Sequence, residues 1–117
     1  MNERIIVKVT DLIGSELCIS AEDGQKVFEK ILLLLKEGKL ITISFEHVTM
    51  LISLFLNVAI GQLYGSLAES EIKSLVRVDG LADDDIELLK RVVDNAKKYY
   101  SNTKAYDEAW QGVSDEE

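Results

Sequence analysis

The sequence predicts an α/β domain, a small four-stranded mixed sheet with three helices packed mainly on one face. Three observations predict it. Apolar, β-branched runs near residues 4–9, 40–45 and 72–78 alternate with runs of helical spacing. The length, 117 residues, is that of one domain. With 47% hydrophobic and 29% charged residues and no proline, the composition is that of a folded chain. The expected order is strand, strand, helix, strand, helix, strand, helix, which lays helices over a small sheet.

The first strand is Arg4 to Val9, rich in Ile and Val. Leu12 to Ser15 breaks the chain, with Gly14 and Ser15 as turn residues, and Glu16 to Ile19 makes a short second strand completing a hairpin. Ser20 caps the first helix, and Glu22 and Asp23 complement its positive end. Val27, Ile31, Leu34 and Leu35 form its apolar stripe, widened by Phe28, Leu32 and Leu33 so that more than one side is expected to be covered. Gly38 ends it in the left-handed region.

Leu40 to Phe45 is the clearest strand and belongs at the centre of the sheet. The second helix runs from about Ser53 to Leu67, with Gly61 inside it as a close-packing position and Gln62 as a structural amide. Ile72 to Val78 is the last strand. Asp83, Asp84 and Asp85 open the third helix, whose stripe is Ile86, Leu89, Val92, Val93, Ala96 and Tyr100. Adjacent residues on a helix point in different directions, so the three aspartates serve the helix dipole rather than a metal. Residues 1–101 make the domain and 102–117 an acidic C-terminal tail, where five acids face one lysine. Trp110 in that tail either docks on the domain or anchors a partner.

Charge and residue usage narrow the function. The 13 basic and 21 acidic residues give a net charge of −8, which disfavours nucleic acid and anionic membrane surfaces as partners. One cysteine, Cys18, and one histidine, His47, exclude an internal disulfide and a Cys/His zinc site. The most apolar stretch, Met50 to Ile60, is too short for a bilayer, and Met1 to Val9 lacks the features of a signal peptide. A bacterial-type cytoplasmic protein is the expectation. No nucleophile–base pair, metal cluster or phosphate-cradling glycine loop is visible, so the reading is non-enzymatic, without cofactor or metal.

Two segments carry a family resemblance. Gly38 to Val48, a glycine, an apolar strand, the acid–His pair Glu46–His47 and a valine, resembles the strand and loop of STAS domains, the anti-sigma-factor-antagonist fold. Ile52-Ser53-Leu54-Phe55-Leu56-Asn57 and Ile60-Gly61-Gln62-Leu63-Tyr64 are closer to a STAS-like family of unknown function. Ser20 to Gly24 is similar to that family's helix start, and the resemblance extends over roughly Ile5 to Tyr99. It departs from the antagonists in having Ser44 where they place an aspartate. Ile52-Ser53-Leu54-Phe55 stands where they have Asp-Ser-Ser-Gly.

The resemblance implies a regulatory protein-interaction module whose partner is a histidine-kinase-like ATPase or kinase. It aligns Ser53 with the antagonists' phosphoacceptor serine and puts Glu46, His47, Thr49, Ser53 and Asn57 at the contact. Thr49 is a weaker alternative acceptor. Two readings of Ser53 stand side by side. A phosphate there gains from the helix dipole and adds about −1.5 to −2 charge to the surface; alternatively the hydroxyl only caps the helix. Asn57 either faces a partner or bonds internally, and His47 is a loop residue rather than a catalytic one. The competing reading is a structural or homo-oligomerisation module that uses the same apolar helix face without a switch.

Overall fold

The structure, a computed structural model, describes the backbone of residues 4–115 and the side chains of residues 4–101. Trp110 therefore lies outside the described side chains. The chain runs β1 (Arg4–Lys8), α1 (Val9–Ile13), β2 (Leu17–Cys18), α2 (Ala21–Lys36), β3 (Leu40–Ser44) and β4 (Met50–Leu51). It continues through α3 (Ser53–Leu56), a π turn (Asn57–Gly61), α4 (Leu63–Ser66), α5 (Glu69–Leu75), β5 (Val76–Asp79) and α6 (Asp83–Asp115).

The α/β class is as expected, but neither the four-stranded mixed sheet nor the set of three helices is what forms. Short helices at Val9–Ile13 and Glu69–Leu75 add to the three expected, and the second of those three is split by a π turn. Three strands make a parallel sheet in the order β1-β3-β5, and β2 pairs with β4 in a separate parallel ribbon. The expected hairpin fails because Val9 to Ile13 coils into α1. Gly14 closes that helix at φ 71°, its N–H donating to Thr10 O. β2 is thereby carried away from β1 and meets Met50–Leu51, a strand the sequence reading does not contain.

Alternation sets the faces of the main sheet. Val7, Ile41 and Ile43 are buried in the core, with Ile5, Val76 and Val78 packed against it. In register on the opposite face stand Ile6 with Thr42 and Arg77, and Lys8 with Ser44 and Asp79. Ile6, Lys8, Arg77 and Asp79 there are exposed, while the central strand's Thr42 and Ser44 are buried.

α2 begins as the sequence predicts, the Ser20 hydroxyl accepting the Asp23 N–H at 3.1 Å. Val27, Phe28, Ile31, Leu34 and Leu35 are buried. Leu33 does not widen that face; it is 55% exposed. Ile86, assigned to the buried stripe of α6, is also exposed, whereas Val92 and Ala96 are buried.

The expected helix at 53–67 is present but interrupted. Gln62 N–H donates to Asn57 O, five residues back, which is the π-turn bond. The expected strand at Ile72–Val78 divides, its first half belonging to α5. The Glu71 carboxylate accepts the Ala68 N–H at 3.3 Å and Lys73 pairs with Glu69 one turn away, so local bonds at the start favour helix. Among the described residues no helix is long and apolar enough to cross a membrane.

Candidate protein-binding surface

β3 leads directly into the segment that carries the sequence-named residues. Phe45 is its anchor, buried and tied to the neighbouring strand by its N–H donating to Asp79 O at 2.9 Å. The chain then reverses: Val48 N–H donates to Phe45 O at 3.1 Å, with Glu46 and His47 at the two central positions. His47 takes φ 70°, the left-handed region that a type II turn places at its third residue. Glu46 N–H is satisfied by the Ser44 hydroxyl at 3.3 Å. The buried Ser44, where the antagonists place an aspartate, thus shapes the backbone of this loop.

The loop places Glu46 and His47 outward, their side chains 3.2 Å apart and both largely exposed. Thr49 is also exposed, and its N–H donates to Glu16 O at 2.9 Å. That bond and one from Ile52 N–H to Cys18 O at 3.2 Å bracket the β2–β4 ribbon, in which Leu17 faces Met50 and Cys18 faces Leu51.

The ribbon is two-faced. Cys18 is fully buried and Leu51 half-buried on the inner side. Burial pushes the Cys18 thiol up to about 11, with the nearby Asp23 charge adding to the shift. On the outer side Leu17 and Met50 are 42% and 54% exposed, followed by Ile19 and Ile52, and then by Leu54 at 47%. These five large apolar side chains lie in the segments that flank Ser53. Sequence reasoning missed the patch. Leu17-Cys18-Ile19 is three apolar residues in a row, and which of them face outward is set only by pairing with Met50–Leu51.

Ser53 is exposed and is the first residue of α3; the N-cap position belongs to Ile52, which makes no side-chain cap bond. The helix-cap reading of Ser53 is therefore incorrect: its side chain stands one residue too far along the chain to cap. Asn57 is exposed one turn further on, on the same side of the helix as Ser53. Its amide is thus available outside. Gln62 has the structural role expected of it, its amide donating to Gln25 Oε1 at 2.8 Å and Val58 O at 2.9 Å.

The tight helix crossing falls at Gly24 rather than at Gly61. A Cβ on Gly24 would stand 3.0 Å from Phe55 O and 3.0 Å from Val58 Cβ, whereas one on Gly61 meets nothing nearer than Ala96 Cβ at 3.6 Å. Gly24 thereby lets α2 set the position of α3 and the π turn.

A concavity of about 600 Å³ lies elsewhere, between the end of α4, the start of α5 and α6, lined by Tyr64, Gly65, Glu69, Lys97 and Tyr100 among others. Lys97 bonds Glu69 at 2.9 Å, and Lys73 bonds the same carboxylate at 3.2 Å. Hydrogen bonds from Lys97 and then Lys73 hold the Glu69 carboxyl below its ordinary range. Burial raises the Tyr64 phenol. Lys97, the cation among its lining residues, is thus already paired, and none of the sequence-named residues lines the concavity. No group of three or more His, Cys, Asp and Glu side chains among the described residues is placed to hold a metal ion.

A family model described as a STAS-like domain of unknown function, DUF4325, matches residues 23–85. The chain belongs to this family. The STAS-like match runs from the first turn of α2 into the start of α6, and so takes in the β3 loop, Ser53 and the π turn; β1 and β2 lie before it. Comparison with curated proteins and with solved structures gave no match.

Proposed function

We propose that this STAS-like domain is a non-enzymatic regulatory module that binds a partner protein through the outer face of the β2–β4 ribbon and the start of α3. The exposed apolar residues Leu17 and Met50, opposite each other in the ribbon, with Ile19, Ile52 and Leu54 next along the two segments, carry the reading. Scattered exposed apolar residues are ordinary, whereas a cluster rimmed by polar groups marks an interaction site. Glu46, His47, Thr49 and Asn57 supply that rim, all of them exposed. The resemblance to STAS antagonists supports a histidine-kinase-like ATPase or kinase as the partner class.

In this reading Ser53 is the phosphoacceptor. Its hydroxyl lies exposed between Ile52 and Leu54. A phosphoryl group there would put about two negative charges into an apolar contact, where desolvating them opposes association. Phosphorylation is then the off signal.

The test is capture of partners from the native host with wild-type and Ser53→Asp baits. The reading expects an ATPase of the histidine-kinase-like class on the wild-type bait and its loss from Ser53→Asp. Equal capture by both removes the switch. If the same apolar face instead closes a homo-oligomer, sedimentation shows a concentration-dependent mass that Met50→Lys abolishes.

A further inference from the structure

A second surface shares no residue with the ribbon patch. β1 is an outer strand of the β1-β3-β5 sheet, so its far edge has no strand partner among the described residues. Its five residues keep unbroken register with β3, without proline or bulge. Beside it runs a groove of about 370 Å³, walled by residues 5–8, by Asp11 and Leu12, and by Lys30 of α2. Ile6 is 61% exposed. Such an edge is a template for another strand unless its side chains forbid pairing.

The side chains forbid one occupant and select another. On the face away from the core β1 reads Arg4, Ile6, Lys8. An antiparallel second copy centred on Ile6 would set Arg4 opposite Lys8 at both ends, and a parallel in-register copy would set each cation opposite itself. Like charges directly opposed destabilise a strand pair, so a second copy is disfavoured. Lys30 joins Lys8 as a second cation lining the groove, against the single carboxylate of Asp11. This edge is thus locally basic on a chain whose net charge is −8.

We infer that the free edge of β1 accepts an extended acidic segment of a partner protein as an added strand. An acidic side chain meets Lys8, an apolar one meets Ile6, and the backbone hydrogen bonds extend the sheet. The guanidinium of the half-buried Arg4 donates to Ile41 O at 2.6 Å, which leaves only its remaining charge for a second acid at the start of the strand. Main-chain pairing supplies affinity, and the alternating acid–apolar–acid pattern supplies selectivity.

The probes are two blocked peptides, one with the core Glu-Val-Ile-Val-Glu and one with Lys-Val-Ile-Val-Lys, titrated into the isotopically labelled full chain by NMR. The acidic peptide should bind at least about fivefold tighter than the basic one, shift the β1 amides and slow their exchange. Lys8→Glu, at an exposed position, should reverse that preference, and Lys30→Glu should weaken it. Equal binding of both peptides, binding of neither, or shifts confined to the β2–β4 ribbon would each overturn the inference. So would a concentration-dependent dimer that protects β1, which assigns the edge to a second copy. Since Met50→Lys leaves β1 intact, it must keep acidic-peptide binding, which separates this surface from the ribbon patch.

Discussion

Gly80 lies directly against the backbone of Glu46. With φ 80° it sits so close that an added Cβ would stand 2.6 Å from Glu46 N and 3.1 Å from Phe45 C. The loop after β5 is therefore the floor on which the Glu46–His47 turn rests.

Gly80→Ala should destabilise the domain by about 2–3 kcal/mol, combining left-handed strain with a backbone overlap that no rotamer relieves. Gly38 has a similar φ of 75° but open space around it, so Gly38→Ala should cost only about 1 kcal/mol. Urea unfolding of the two variants measures the difference. In Gly80→Ala the amide resonances of Glu46 and His47 should also move.

Gly24→Ala and Gly61→Ala should have opposite outcomes although both glycines lie in helical segments. Alanine is the better helix former by roughly 1 kcal/mol. At Gly24 the 3.0 Å contacts with Phe55 O and Val58 force α2 away from α3, and the overlap outweighs that gain by about 1–2 kcal/mol. At Gly61 the nearest contact of 3.6 Å is ordinary packing, so the variant should be neutral or up to about 1 kcal/mol more stable. Thermal unfolding decides it.

Cys18, buried and with its thiol raised to about 11, should resist alkylation by iodoacetamide at pH 8 until the protein unfolds. The sign of the pH effect follows. Once the pH exceeds the unfolded thiol's value near 8.5–9, the unfolded chain loses a proton that the folded chain keeps. Stability should then fall with rising pH up to about 11, by at most about 1.4 kcal/mol per pH unit from this group. Denaturant midpoints of wild type and Cys18→Ala across pH 8–11 check it, since the variant lacks this contribution.

Much of this architecture is legible wherever a local signal is unopposed. The Ser20 cap, the α2 stripe from Val27 to Leu35 and the β-branched run at 40–44 each formed as their residues dictate. Legibility failed where two periodicities share the same residues. Ile72, Leu75, Val76 and Val78 fit a strand, yet Ile72 and Leu75 also share a helix face, and the Glu71–Ala68 and Glu69–Lys73 contacts decided for helix there.

The candidate surface was half legible. Glu46, His47, Thr49, Ser53 and Asn57 are all exposed, but the apolar face between them depends on a two-residue strand, Met50–Leu51, pairing with another, Leu17–Cys18. Strands this short carry almost no periodic signal, and their buried side is set by the partner rather than by the run itself. The Ser53 cap reading failed for a related reason: the helix starts at Ser53, so the serine lies inside it instead of before it.

The most direct test of the interaction surface compares four baits in capture from the native host: wild type, the double variant Met50→Lys/Ile52→Lys, Ser53→Asp, and Leu33→Lys as a control at an exposed apolar residue on α2. The account predicts that wild type and Leu33→Lys retain an ATPase of the histidine-kinase-like class, while the double variant and Ser53→Asp lose it. Undiminished capture by the folded Met50→Lys/Ile52→Lys chain would contradict it.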